Sequence, residues 1–360
     1  MAGAPSPMGD ALVGHMVDLA AFGNDAVRRI MRILARADVD ILRRIAAAIE
    51  KLPASTFTVA RLYNVLASAR GLNAELFQAV SKQIRLDMGE LAVHEVELQA
   101  KLISFGSTRP ATAVSREQAY SAGSEAPFRG RLMSDWASGI GQRRMQRIQD
   151  SLAMGFVEGR TVDEMVRTLR GTRAQGYKDG IINASNREVS AIVRTAVGHY
   201  AQAAREVLFE QNADLIDELE WVATLDSRTS EICMIRDGKR YTVDHEPIGH
   251  ELPWLGGPGQ AHWNCRSSCV PRLKLASELG LTGSADRASV DGPVSAATTY
   301  ASWIKRQPAA RQDEVLGKSR GKLMRQGKYT LDRFYNNEGR FLTLEQLRAR
   351  DAKTFERLGL

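Results

Sequence analysis

The residues best suited to chemistry in this 360-residue sequence are three cysteines and one histidine in its second half. They are Cys233, His262, Cys265 and Cys269. Thiolate and imidazole ligands from two separated segments suit tetrahedral zinc, and His-x-x-Cys and Cys-x-x-x-Cys are workable ligand spacings. The pattern therefore predicts a zinc site, or else a group of small buried residues that pack a loop-rich region. An odd number of cysteines argues against a complete disulfide framework.

Four charged residues around this group are candidates for holding loops in place. They are Arg194, Asp226, Arg228 and Arg266. Asp226-Ser227-Arg228-Thr229 is typical of a turn after a strand, in which the Asp side chain accepts hydrogen bonds from nearby backbone N–H groups. Arg228 and Arg266 would then donate to carbonyl or carboxylate oxygens, and Arg194 on the preceding helix would pair with Asp226. We interpret all four as structural residues rather than catalytic ones.

A nuclease is the enzymatic alternative. Val243-Asp244-His245 is similar to the start of an HNH nuclease motif, in which a His activates water beside a metal-bound phosphate. Asn264 and the Cys265…Cys269 pair loosely match the rest of that motif. However, its Cys-x-x-Cys-His ending is missing, and no His follows Cys269. A hydrolytic metal site also needs ligand positions open to water and substrate, so we predict a protein that is not an enzyme.

Positive charge is concentrated near the C-terminus of a chain whose net charge is +7 and whose pI is about 9.4. Between residues 301 and 330, basic side chains outnumber Asp313 and Glu314. The basic residues are Lys305, Arg306, Arg311, Lys318, Arg320, Lys322, Arg325 and Lys328. Such a segment suits non-specific, salt-sensitive contact with the phosphates of double-stranded DNA. A solvated surface, or one that docks on a partner protein, is the other interpretation.

The elements that must position these residues are mainly helices. Apolar residues recur at three- and four-residue intervals from Ile30 to Ile49, and similar stripes follow further along the chain. Thr161-Val162-Asp163-Glu164 and Ser185-Asn186-Arg187-Glu188 have the form of capping boxes, in which side chains satisfy free backbone N–H groups at a helix start. We therefore expect a helix to begin at each of these places.

Composition changes divide the chain into six segments. They are a disordered tail (1–14), a helical N-terminal arm (15–106), a linker (107–129), a core (130–278), a second linker (279–296) and a basic C-terminal module (297–360). Within the core, a strand is predicted at 219–224 with Leu219, Trp221 and Ala223 on one side. The predicted fold is α+β and mainly α, with a small mixed α/β core. No run of eighteen apolar residues or signal peptide is found, so we expect no membrane span and synthesis in a reducing cytoplasm.

An ordered set of motifs resembles the signature of the phage Mu F-like head morphogenesis family. The set is Ile192-Val193-Arg194-Thr195-Ala196, Trp221-Val222-Ala223-Thr224-Leu225-Asp226-Ser227-Arg228-Thr229, Cys233, Gly238-Lys239-Arg240-Tyr241 and His262-Trp263-Asn264-Cys265-Arg266. No single motif is specific to this family, but the set of motifs in this order is. The end of the chain, from Tyr300 to Leu347, also looks like the end module of many such proteins.

The resemblance implies a structural role. Such proteins are minor components of the head, bind the portal or its neighbourhood, and assist head assembly or the passage of DNA. It implies portal and capsid proteins as partners, and a location in the virion after assembly in the host cytoplasm. Many members carry two further cysteines, where this chain has Arg236 and Ser267, so Cys269 would have to compensate in a zinc site. A metal-dependent nuclease and a DNA-binding prophage accessory protein are the alternatives.

Overall fold

The structure is mainly helical with a small four-stranded antiparallel sheet, which confirms the predicted α+β class. The computed structural model describes residues 7–107, 109–274, 286–295 and 297–360. The helices are α1 (Pro7–Glu50), α2 (Val59–Val65), α3 (Ala67–Phe105), α4 (Arg116–Glu125), α5 (Met133–Val157), α6 (Val162–Arg170), α7 (Ile181–Gln211), α8 (Glu231–Arg236), α9 (Tyr300–Arg306), α10 (Ala309–Leu316), α11 (Lys318–Gln326), α12 (Leu344–Arg350) and α13 (Ala352–Leu358). The strands are β1 (Ile216–Val222), β2 (Arg240–Tyr241), β3 (Pro247–Ile248), β4 (Ser268–Leu273), β5 (Asp286–Ser289) and β6 (Gly292–Ser295).

Two segments predicted to be irregular contain helix. Helix α1 begins at Pro7, so the described part of the predicted disordered tail is helical. The predicted linker at 107–129 contains α4. At its start, Ser115 and Gln118 cap the helix reciprocally, because each side chain accepts a hydrogen bond from the other residue's backbone N–H. In the part of the chain that the structure describes, no helix is long and apolar enough to cross a membrane.

The second predicted linker, 279–296, contains a β-hairpin. Residues 286–295 form the antiparallel pair of β5 and β6, in which Ser289 is the register partner of Gly292. The remainder of this predicted linker, residues 279–285 and 296, lies outside the described residues. The composition of small and polar residues predicted a linker here and did not indicate these two short strands.

Contacts between Cα atoms divide the chain into two units. The helical unit comprises residues 22–91 and 124–197, and the sheet unit comprises the described residues of 1–21, 92–123 and 198–360. In the helical unit, the stripe predicted on α1 is its buried face, since residues three and four apart share one side of a helix. Asp38 lies among these apolar residues, where it pairs with Arg144 of α5 and accepts a hydrogen bond from Asn186 Nδ2 at 3.0 Å.

The sheet of the sheet unit has the strand order β3-β2-β1-β4, and all its pairs are antiparallel. In the central strand β1, Leu219 is the register partner of Tyr241 and Trp221 is that of Cys269. Leu219, Trp221 and Ala223 are each at most 1% exposed, which confirms the predicted buried side of this strand. The Trp221 ring meets the Trp254 ring edge to face at 5.7 Å, so an aromatic cluster covers the sheet.

The helices that follow the hairpin share a hydrophobic core with the chain around α8. Leu225 and Met234 belong to the same buried cluster as Tyr300, Trp303 and Phe334. The Tyr300 hydroxyl also donates a hydrogen bond to the carbonyl oxygen of Asp226 at 2.8 Å. The C-terminal helices are thus packed directly against the segment that carries the candidate site.

Candidate metal centre and its loop braces

Three of the four predicted metal ligands lie together in the sheet unit. The ligand atoms of Cys233, His262 and Cys265 are all within 4.8 Å of one another. The two Sγ atoms are 3.7 Å apart, and Cys233 Sγ is 3.1 Å from His262 Nε2. Zinc–sulfur bonds of about 2.3 Å at a tetrahedral angle place two sulfurs about 3.8 Å apart. The sulfur pair therefore has the separation of zinc ligands, and the imidazole is closer than a shared ion requires by about half an ångström.

Local structure explains why these side chains converge. Ser230 is the N-cap of α8 and accepts a hydrogen bond from Cys233 N–H, which fixes the cysteine in the first turn. The His262 Nδ1 atom is 2.9 Å from the carbonyl oxygen of Trp263. Because a carbonyl oxygen can only accept, Nδ1 carries the proton and Nε2 presents its lone pair to Cys233 and Ser230. That orientation is the one used by metal-binding histidines.

The two thiols contact each other and a backbone N–H group. Gly259 N–H donates to Cys265 Sγ at 3.2 Å. The hydrogen bond from Cys233 lowers the pKa of Cys265 well below its ordinary value, and His262 and Gly259 act in the same direction. The same hydrogen bond, together with burial, raises the pKa of Cys233 well above its ordinary value. A zinc ion would take the place of the thiol protons, since metal binding requires deprotonated thiols.

Cys269 is the predicted ligand that does not join this group. It lies on β4, where the ladder with β1 fixes it opposite Trp221, and its side chain is fully buried in the core of the sheet unit. Burial raises the pKa of its thiol. The four-ligand set predicted from spacing is therefore corrected to three residues, because strand register holds the fourth in the hydrophobic core.

The positions where the resemblance implied further cysteines have distinct surroundings. Ser267 hydrogen-bonds to the Cys233 thiol and so lies beside the three ligands. Arg236 is 1% exposed and donates hydrogen bonds to the carbonyl oxygens of Ile232 and Pro253, at 3.1 Å and 3.0 Å. Arg236 thus holds the loop that follows β3, whereas Ser267 offers a hydroxyl oxygen beside the candidate metal position.

Asp226 and Arg266 form the strongest of the predicted loop braces. Arg266 Nη1 and Nη2 donate to the two Asp226 carboxylate oxygens at 2.5 and 2.8 Å. The carboxylate also accepts from the backbone N–H of Arg228 at 2.9 Å and from the Thr229 hydroxyl at 3.2 Å. Burial opposes ionisation of Asp226, but the contacts of Arg266 outweigh it and lower the pKa of Asp226. This carboxylate therefore ties the turn after β1 to the segment that contains His262 and Cys265.

The other two predicted braces are placed differently. The side chain of Arg228 is 81% exposed and its Nε is 3.8 Å from Asp226, so the backbone N–H of Arg228 makes the closer contact. Arg194 is an exposed residue of α7 in the helical unit. Among the described residues, the ion-pair partners of Asp226 are Arg228 and Arg266. The bracing role of Arg194 stays a prediction.

A buried ion pair that sequence reasoning missed lies next to these braces. Arg287 of β5 donates to both carboxylate oxygens of Asp237, at 2.9 and 2.8 Å, and to the carbonyl oxygen of Thr298 at 2.7 Å. Asp237 also accepts from the backbone N–H groups of Ala223 and Tyr300, at 2.7 and 2.6 Å. One carboxylate thus joins the end of β1, the hairpin and the start of α9. The turn signal Asp291-Gly292 could have revealed the hairpin, but nothing local pointed to its partner.

The residues of the nuclease alternative make contacts typical of a loop anchor. The His245 ring stacks on Trp254 with centroids 4.7 Å apart, and its Nε2 is 3.6 Å from Glu206 Oε1. Trp254 Nε1–H donates to the same carboxylate at 3.2 Å. Asn264 adopts a left-handed backbone conformation with φ of 56°. Among the described residues, the group that could hold a metal ion is formed by Cys233, His262 and Cys265 and does not include His245.

Five of the eight cations predicted to contact DNA form ion pairs or hydrogen bonds with other groups of this protein. Arg311 pairs with Asp291, and Arg325 pairs with Asp313. Three others also have intramolecular contacts: Arg306 with the Thr298 hydroxyl, Arg320 with the Leu342 carbonyl oxygen and the Phe341 ring, and Lys322 with the Leu358 carbonyl oxygen. Lys305, Lys318 and Lys328 are exposed. The charge excess predicted from the sequence is therefore partly used to hold the C-terminal helices together.

Comparison with known proteins bears on this region. Residues 146–270 match the sequence model of a family described as "Phage Mu protein F like protein". The match includes the end of α5, then α6, α7, β1 to β3, the start of β4 and the candidate metal centre, about a third of the chain. No curated protein and no solved structure matches the chain. The resemblance of the segment beyond residue 270 stays a prediction.

Proposed function

Because residues 146–270 are a Mu F-like segment, we propose that this protein is a structural minor head protein of a tailed bacteriophage. It associates with the portal and capsid, and it assists head assembly and DNA packaging or delivery. It resides in the virion after assembly in the host cytoplasm. The family match is the observation that carries this proposal.

The arrangement of the matched segment supports an architectural role rather than a catalytic one. Cys233 and Cys265 are 1% and 3% exposed, and Asp226 is 8% exposed. Groups that act on a substrate must be reachable within hydrogen-bond distance. These side chains instead contact one another and the loops around them, which suits a scaffold that must keep its shape during assembly.

The proposed location can be tested by quantitative mass spectrometry of purified virions and proheads. We expect the protein in both particles at a low, fixed copy number relative to the major capsid protein. A phage that carries a nonsense mutation in this gene should yield particles that lack the protein, and few of its virions should be infectious. Expression of the chain in trans should restore the protein to the particles and the yield of infectious virions. Absence from virions and proheads of the wild-type phage would contradict the proposal.

We also propose that Cys233, His262 and Cys265 bind one zinc ion. The ion would cross-link α8 to the loop ahead of β4, with the hydroxyl of Ser267 or a water molecule as the remaining ligand. Bound zinc would supply stability and no reaction step. The convergence of two thiols and a correctly oriented imidazole in the core supports this proposal.

Metal analysis provides the test. Protein purified from zinc-supplemented cells should contain about one equivalent of zinc, and a strong chelator should lower Tm by about 5 °C or more, since zinc binds only the folded chain. Cys265→Ser should lose the metal. Cys269→Ala is the matched control, because it removes a buried thiol outside the group and should retain zinc. Less than about a tenth of an equivalent in the wild-type protein would rule the site out.

A further inference from the structure

A second basic surface lies in the helical unit at the connection between α6 and α7. From Met165 to Lys178 the sequence contains four cations and no acidic residue. We define the basic loop as Arg167, Arg170, Arg173, Tyr177, Lys178 and Arg187, all of which are exposed. Among the described residues, none of its five cations belongs to an ion pair, in contrast to the neighbouring pairs of Arg147 with Glu188 and Arg160 with Glu158.

The acidic residues closest in sequence to the basic loop are already engaged. Glu164 accepts hydrogen bonds from the backbone N–H and hydroxyl of Thr161 as part of the capping box of α6. Asp179 accepts from the backbone N–H and the hydroxyl of Thr172, both at 2.8 Å. These carboxylates therefore stabilise the backbone and leave the cations available to a partner.

The same contacts give the basic loop a fixed shape. Tyr177 N–H donates to the carbonyl oxygen of Thr172 at 2.8 Å, and Asp179 accepts a hydrogen bond from the backbone N–H of the same residue. Gly171 has a φ of +91°, and a Cβ atom there would lie 2.7 Å from the carbonyl oxygen of Tyr177. Only glycine fits at that position, so the loop is built to hold this conformation.

Tyr177 is held in an unfavourable conformation at the tip of the basic loop. Its φ is +62°, directly after Gly176 at +55°, and its side chain is 42% exposed. A left-handed non-glycine residue costs about 1 kcal/mol or more. Because the ring is exposed, its burial offsets little of that conformational cost. Such strain is concentrated at positions where a side chain must be presented to a partner.

We propose that the basic loop binds the phosphate backbone of double-stranded DNA. Exposed Arg and Lys side chains and a Tyr hydroxyl are the groups that contact phosphates without reading sequence. The charge of the helix C-terminus accounts for the two cations in the last turn of α6, but it does not reach Lys178 or Arg187. A protein partner would bind through several clustered anchors, of which one exposed aromatic ring is not enough. Between residues 158 and 187, Tyr177 is the only large hydrophobic residue that the structure describes as exposed.

The inference goes beyond the proposed virion role and is tested with the purified full-length chain. Binding to a fluorescent 30-base-pair duplex is measured by anisotropy over a range of salt concentrations. The loop variant is Arg170→Gln, Arg173→Gln and Lys178→Gln. The matched control is Lys51→Gln, Lys82→Gln and Lys101→Gln, which removes the same charge from exposed positions remote in sequence from both basic segments. A charge-retaining variant, Arg170→Lys with Arg173→Lys, checks that charge is the cause.

We expect the loop variant to bind about tenfold or more weakly near 0.1 M salt, with a salt slope shallower by about 2 to 3. The control and the charge-retaining variant should stay within about twofold of the wild type. The proposal is overturned if the wild type shows no salt-dependent binding, if the loop variant binds normally, or if the control loses as much affinity. Polyglutamate bound in preference to DNA would assign the surface to an acidic protein instead. None of these outcomes would change whether the protein is found in virions. Failure of this inference can therefore be distinguished from failure of the proposed function.

Discussion

Glu95→Gln should lower the free energy of unfolding by about 3 to 5 kcal/mol, because it breaks a buried ion pair while leaving the partner charge buried. Glu95 of α3 is fully buried. Arg205 Nε donates to its Oε1 atom at 2.6 Å, and His15 Nε2 is 2.8 Å from Oε2. Gln99 donates to Oε1 at 3.0 Å. This carboxylate therefore joins three helices within the sheet unit, and chemical denaturation of the purified protein measures its contribution.

The control for this variant is Glu97→Gln on the same helix. Glu97 is exposed, so its substitution should change stability by no more than about 0.5 kcal/mol. If Glu95→Gln and Glu97→Gln unfolded at the same denaturant concentration, the buried cluster would contribute nothing measurable. A loss of stability in both variants would instead indicate a general effect of removing negative charge from a basic chain.

The stabilisation by Glu95 should also depend on pH in a defined window. Burial alone would raise its pKa, but the charges and hydrogen bonds of Arg205 and His15 outweigh burial and lower the pKa to about 2. A depressed folded-state pKa contributes stability that is complete above the unfolded value of 4.5 and is lost as the pH falls towards 2. That difference corresponds to about 3 kcal/mol. The stability gap between the wild type and Glu95→Gln should therefore shrink as the pH falls below about 4.

The helical content and the central strand were predictable from the sequence because both depend on local spacing. The α1 stripe and the alternation in β1 reappear as buried faces. One of the two helix starts predicted from capping boxes was wrong. The box at Thr161 starts α6, but α7 begins at Ile181, before the box predicted at Ser185. The Ser185 hydroxyl donates to the Ile181 carbonyl oxygen at 3.1 Å, because serine can hydrogen-bond within a helix as well as cap one.

The candidate site was predictable only as far as short spacing determines it. His262 and Cys265 are close in sequence, and the helix cap at Ser230 fixes Cys233. The exclusion of Cys269 depends on the register of β4 against β1, which connects distant parts of the chain. The eight C-terminal cations pose the same problem, since their charge is visible in the sequence but their intramolecular partners are not. Electrostatic roles assigned from composition thus need the tertiary contacts before they can be interpreted.

Arg287→Met should lower the free energy of unfolding by about 3 to 5 kcal/mol, because it leaves Asp237 as a buried carboxylate without its cation. The Asp237 side chain is fully buried, and that of Arg287 is 9% exposed. Methionine retains most of the side-chain volume, so the expected loss is due to the missing charge and hydrogen bonds. Chemical denaturation monitored by tryptophan fluorescence would measure the change, since Trp221 and Trp303 lie in the two cores that the pair connects.

Arg311→Met is the matched control for this substitution. Its pair with Asp291 is exposed, with side chains 32% and 44% accessible, and exposed pairs contribute at most about 1 kcal/mol. Arg287→Met combined with Asp237→Asn should cost less than the two single substitutions added together, because the second change removes the orphaned charge. Equal costs for Arg287→Met and Arg311→Met would contradict the role of the pair. The difference between them arises from burial, since both arginines contact an aspartate at nearly the same distance.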